Sequence, residues 1–189
     1  MPKAIPHIRK QFPKLDLFLK EDQTTRIHAA LLDGELDLLL LALPYELKMV
    51  ETMPLFKDSF KLAYRKDTAR AKPSSTKLSK LDADNIILME DGHCMREHAL
   101  SACKIRKQDS IGKFSANSLY TLTQMVDNDL GITFIPEIAI RGGLLKNTKI
   151  EVEDLPDRSY RTIGLAWRKS SVREPEFKVL GEIIRKAVS

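Results

Sequence analysis

Apolar residues recur along the chain with two periods, and the period changes at nearly every turn signal. In KAIPHIRKQF, Ile5, Ile8 and Phe12 fall at helical spacing, and Pro13 ends the run. The next stretch, residues 15–20 (LDLFLK), alternates Leu15, Leu17 and Leu19 with the period of a strand. Residues 23–33 return to helical spacing and stop at Gly34, a residue suited to the turn that closes a helix. ELDLLLLAL follows as an apolar strand, centred on residues 36–41 and bounded by Pro44. Helix, strand, helix, strand is the signature of βαβ units on a parallel sheet.

The remainder continues the alternation. SFKLAYRK reads as a strand and DTARAKPSSTKLSKLD as a polar linker; NIILME and GKFSA read as strands. NSLYTLTQMVDND places Leu119, Leu122, Met125 and Val126 on one helical face, with Asn117-Ser118 at the cap. ITFIP is a buried strand, IAIRGG a short helix and turn, and KIEVEDL and RTIGLAWR are strands. EPEFKVLGEIIRKAV closes the chain as a helix with Pro175 in its first turn. The pattern predicts an α/β fold in two lobes, residues 1–59 with 163–189 in one and residues 60–162 in the other. A chain that leaves a lobe and returns needs two crossing strands, expected at residues 42–45 and 161–165. The cleft between lobes is the default ligand site.

Composition narrows the class. The 189 residues are 43% hydrophobic and 30% charged, ordinary for a globular protein. The apolar run at residues 38–43 is too short to span a membrane. MPKAIPHIRKQFPKLD lacks the apolar core of a signal peptide, which points to the cytoplasm. The net charge of +5 is spread among mixed signs, and the basic stretches KAIPHIRKQFPK and KVLGEIIRKAVS read as solvated helix faces. Helix-turn-helix, zinc-finger and aromatic-basic patterns do not occur, so direct contact with DNA is not expected from these residues.

The chemistry concentrates in EDGHCMREHALSACK, which holds both cysteines, Cys94 and Cys103. Nine helical positions advance about 13.5 Å and turn about 900°, placing the two thiols on opposite faces. A disulfide needs Cα atoms within about 7 Å, so bonding requires local unfolding. Such a bond is a conformational switch rather than a staple. Cys94 falls at the start of the helix, where dipole and free N–H groups favour a thiolate. His93 and Arg96 favour it too, whereas Glu90, Asp91 and Glu97 oppose it. Three readings stand at this point: reactive thiols, buried small hydrophobes, or a metal site from His93, Cys94, His98 and Cys103. The opposed position of Cys103 argues against the metal, and no cofactor is implied.

LMEDGHCMREHALSACK resembles the redox segment of the OxyR group of LysR-type, peroxide-sensing transcription regulators. Gly-His-Cys followed nine positions later by a second cysteine is a specific pattern. IRKQFPKLDLFLKEDQTTRIHAALLDGELDLLLLAL, MPLFKDSFKLAYRKD, SANSLYTLTQMVDNDLGITFIPEIAI and RTIGLAWRKSS also resemble the effector domain of that group, so the likeness runs from Pro2 to Val188. It implies a periplasmic-binding-protein-like, two-lobed effector domain. Cys94 would be the peroxide-reactive cysteine and Cys103 the cysteine that condenses with its sulfenic acid. Gly92, His93, Thr24 and Arg161 would line the ligand site, Thr24 facing the thiol and Arg161 lying near the second cysteine.

The same resemblance implies hydrogen peroxide as ligand and a homodimer that is a tetramer at full length. A glutaredoxin- or thioredoxin-type reductant would reset it, and DNA would be bound only through an N-terminal domain absent from this chain. Two departures are visible. The group has a further strand before the first helix, so lobe I is expected to lack its first strand here. Lys113 stands where many relatives have a histidine. Two other functions remain open: an effector domain binding a small organic co-inducer in the cleft, and a thiol peroxidase.

Overall fold

The computed structural model describes residues 3–44, 48–68, 83–90, 94–102, 114–155 and 159–188, apart from the side chains at 83, 94 and 102. The chain divides into two compact units, Met1–Lys57 with Thr162–Ser189, and Asp58–Arg161. It passes from the first to the second within strand β2 (Val50–Arg65) and returns within β7 (Tyr160–Arg168). The outward crossing therefore lies at Lys57 and Asp58 rather than at residues 42–45. Pro54 and the charges of VETMPLFK hide the first half of β2, because they break the apolar alternation by which strands are recognised.

In the first unit, β1 (Leu39–Leu43) pairs antiparallel with β7, Leu39 opposite Ala166 and Leu43 opposite Thr162. Helices cover both faces, as the strand period dictates. Leu165 and Trp167 of β7 turn toward α1 (Ile5–Gln11) and α6 (Glu174–Val188), joining Ala4, Ile8, Phe177, Leu180, Ile183 and Ile184. Ala166, between them, turns to the other face with Leu39, Leu41, Val50 and Leu31 of α2 (Thr24–Leu32). Gly164 lets three strands close up, since a Cβ there would stand 2.5 Å from Leu43 Cδ1 and 2.8 Å from the Met53 carbonyl oxygen.

Two expectations fail in this unit. Residues 15–20 form no strand: Leu15 packs on the core edge, but Phe18 is 91% exposed and Leu19 60%. Alternation makes a strand possible, but hydrogen-bonded neighbours make it a strand, and none pairs with this segment among the described residues. Nor do the described registers of the main sheet show parallel βαβ pairs: β1 with β7, and β2 with β5 and β6 in the second unit, are antiparallel. With residues 15–20 unpaired, the strand that β1 finds is the returning one.

In the second unit β2 lies between β5 (Thr133–Pro136) and β6 (Ile150–Asp154), antiparallel to both. A 3-10 turn at Ala83–Asn85 leads to β3 (Leu88–Met89), which pairs parallel with β4 (Ser115–Ala116). Ile86 and Ile132 form a further parallel bridge. The alternation of residues 86–89 again divides two faces. Ile86 and Leu88 meet Phe60, Leu62, Tyr64, Phe134 and helix α3 (Cys94–Ala102). Ile87 and Met89 meet Leu122 and its neighbours on α4 (Leu119–Asp127). A short helix, α5 (Glu137–Arg141), follows β5. No described helix is long and apolar enough to cross a membrane.

Candidate functional site

Cys94 is the first described residue of α3. Its backbone is described and its side chain is not; Gly92, His93, Cys103 and Lys113 lie outside the described residues. Helix α3 follows β3 in the chain. Ala99 and Leu100 face inward to the cluster around Phe60, Leu62 and Tyr64. Met95, in the first turn, is partly buried and packs on the clusters of both faces. Arg96 Nη1 donates to the Met89 carbonyl oxygen at 3.1 Å, tying the same turn to β3.

A second tether comes from far along the chain. Arg161, at the end of the second unit, donates from Nη1 to Met95 Sδ at 3.3 Å. Its Nε and Nη2 donate to Asp58 Oδ2 at 3.0 and 2.9 Å. Its guanidinium also stands 5.7 Å from the centre of the Phe60 ring. Asp58 Oδ1 accepts from the Ile138 backbone N–H at 2.9 Å, in the first turn of α5. Both carboxylate oxygens are therefore used. The side chains are 2% exposed at Asp58 and 10% at Arg161. Charges so far from water persist only when paired and hydrogen-bonded.

The sequence reading missed Asp58. Asp58 carries no local signal, because its partner stands 103 positions away and neither residue belongs to a motif that periodicity detects. Arg161 came into view through resemblance alone. Thr24 opens α2 in the first unit and is 7% exposed. It is a first-turn residue and not the cap: the Gln23 carbonyl oxygen accepts from the Arg26 and Ile27 N–H groups. Among the described residues no group of three His, Cys, Asp or Glu side chains could hold a metal. Of the ligands in the metal reading, His98 alone has a described side chain.

One titrating group lies beneath α3. Burial, and then a 2.7 Å hydrogen bond to Glu153 Oε1, push the Tyr64 hydroxyl up to about 12. The phenol therefore stays protonated and donates to the carboxylate through the neutral range.

Two α/β units are thus joined by two crossing strands, with the buried Asp58–Arg161 pair where the chain enters and leaves the second. Residues 1–189 match the LysR substrate binding domain, and the chain belongs to that family, with its periplasmic-binding-protein-like fold. Within the family it is similar to the DNA-binding transcriptional dual regulator OxyR of Escherichia coli K12. The two are 33% identical over 185 residues, 98% of this chain and 61% of that protein. It is also 35% identical to the HTH-type transcriptional regulator EstR of Acinetobacter baylyi over 187 residues, 98% of this chain and 62% of that one. Among solved structures, the reduced form of the regulatory domain of OxyR2 from Vibrio vulnificus superposes with a TM-score of 0.92. That pair is 43% identical, covering 98% of this chain and 88% of the other. The chain thus spans about three fifths of the length of the curated regulators it matches.

Proposed function

We propose that this chain is the redox-sensing regulatory domain of an OxyR-type transcription regulator. The observation that carries the reading is α3 itself, which begins at Cys94 and runs helical to Ala102. A regular helix carried through both cysteines would hold them about 13.5 Å apart along its axis, beyond the roughly 7 Å that a disulfide allows. The helical form is thus a dithiol form, and the disulfide form requires α3 to unwind.

The chemistry balances without a cofactor. The Cys94 thiolate attacks one oxygen of hydrogen peroxide, the O–O bond breaks, and the other oxygen leaves as hydroxide or, once protonated, water. Cys94 becomes a sulfenic acid. The Cys103 thiol then displaces water from that sulfur and forms the disulfide, so two thiols supply the two electrons that reduce the peroxide. In this reading Thr24, His93 and the backbone at Gly92 orient the peroxide and stabilise its departing charge. Arg161 steadies the first turn of α3. The outcome is a conformational signal in a homodimer, passed to DNA by an N-terminal domain and reset in the cytoplasm by a glutaredoxin- or thioredoxin-type reductant. A disulfide that requires helix unwinding suits such switching better than rapid peroxidase turnover.

A second reading rests on the equally extensive likeness to EstR. In it the domain responds to a small organic co-inducer and the cysteines are incidental. Alkylation followed by intact-mass analysis, before and after a small excess of peroxide, separates the two. Sensor chemistry predicts loss of both free thiols, a 94–103 disulfide, and a sulfenic acid trapped in Cys103→Ser. Persistence of both thiols, in the fragment and in the full-length protein, would favour the co-inducer.

A further inference from the structure

Asp58 and Arg161 are the first and last residues of the second unit, standing at the outward and returning crossings. Between them they hold three things at once. Asp58 Oδ1 receives the Ile138 N–H of α5, Asp58 Oδ2 receives two N–H groups of Arg161, and Arg161 Nη1 reaches the thioether of Met95. Met95 is the residue after Cys94. A thioether is a weak acceptor, so this bond has value only while the guanidinium is aimed at it. The aim is set by the buried carboxylate on one side and the Phe60 ring, 5.7 Å away, on the other.

We propose that Asp58 is a positioning residue for the redox switch. Through Arg161 it secures Met95, and so sets how readily the first turn of α3 lets go. This rests on the sensor reading given above and adds to it the group that biases α3 toward the helical, dithiol form. Other tethers act beside it: Ala99 and Leu100 anchor the second half of α3, and Arg96 ties the first turn to β3. The Asp58–Arg161 link joins the cysteine turn by hydrogen bonds to the strands by which the chain enters and leaves the unit. The crossings and the thiol therefore share one equilibrium: loosening the link favours the disulfide, and forming the disulfide releases Arg161 from Met95.

The test uses Asp58→Asn, which keeps an oxygen for Ile138, and Met95→Leu, which removes the sulfur at nearly constant volume. In the reduced protein, hydrogen exchange of the α3 amides is expected to quicken about fivefold in Asp58→Asn, the worth of one hydrogen bond, and about twofold in Met95→Leu. Exchange in α4 should hold its wild-type rate. In glutathione buffers the Cys94–Cys103 equilibrium should move toward the disulfide by the same factors. The double variant should match Asp58→Asn alone, since both act through one link. Unchanged α3 exchange in both variants, or equal quickening in α3 and α4, would overturn the proposal. If the wild-type protein forms no 94–103 disulfide, the sensor reading fails, while the exchange measurement still decides whether Asp58 governs α3.

Discussion

Helices α3 and α4 are nine residues each, belong to the same unit, and lie on opposite faces of residues 86–89. Helices this short are marginal in isolation, so each owes its persistence to what surrounds it. Helix α4 is closed at both ends. Ser118 Oγ accepts from the Thr121 N–H, Asn128 Nδ2 donates to the Gln124 carbonyl, and Asp127 Oδ1 accepts from the Lys149 N–H. Thr123 Oγ1 donates to the Leu119 carbonyl, and Leu122, Thr123 and Val126 are buried. Among its described side chains, helix α3 buries Ala99 and Leu100, one of them a single methyl group, and ties down its first turn through two arginines. The difference teaches where this fold can be opened. In the sensor reading proposed above, α4 stays with its caps and full apolar stripe, and α3, whose described residues lean on arginine tethers, is released when a covalent bond competes for it.

The largest effect that sharpens this contrast is expected in α4. Leu122→Ala should lower global stability by about 3 kcal/mol in urea denaturation, within the usual range for a fully buried leucine. Leu100→Ala removes the same atoms from α3, but once α3 detaches on its own its loss no longer adds to global unfolding. Its global cost should therefore be about half that of Leu122→Ala, with the deficit appearing as fast exchange across residues 94–102. Equal costs would break the comparison. Ser118→Ala should cost about 1 kcal/mol, the value of one N-cap, again read globally by denaturation.

How much of this was legible in the sequence follows from the range of each signal. Strands β1, β5 and β7 and helices α4 and α6 declare themselves by period, because burial of one face or both is written into neighbouring residues. That Cys94 belongs to a helix was legible from the spacing of residues 94–102. Residues 15–20 carried the right period without a partner to pair with, and period alone cannot report pairing. The first half of β2 carried pairing without the period, since Pro54 and its charges interrupt it. Asp58 was illegible for a third reason: a contact 103 positions long leaves no trace in any window of the chain.

The smallest effect concerns pH and the face under α3. Tyr64, pushed up to about 12, holds its proton in the folded protein after an unfolded chain, with an ordinary tyrosine value of about 10, has begun to lose it. The stability it contributes is complete below about pH 10 and is lost as pH rises from there through about 12. Wild-type protein should therefore lose stability more steeply above about pH 10 than Tyr64→Phe does, measured by denaturation at stepped pH. Identical slopes would remove the Tyr64–Glu153 bond from the account of this face.

The central claim is that α3 is the helix that opens when peroxide arrives, and α4 the helix that does not. Hydrogen exchange read by mass spectrometry on peptides covering residues 94–102 and 119–127, before and after one equivalent of peroxide, tests it most directly. The account predicts that protection collapses in the first peptide and holds in the second. Unchanged protection in both, or a parallel loss in both, would contradict it.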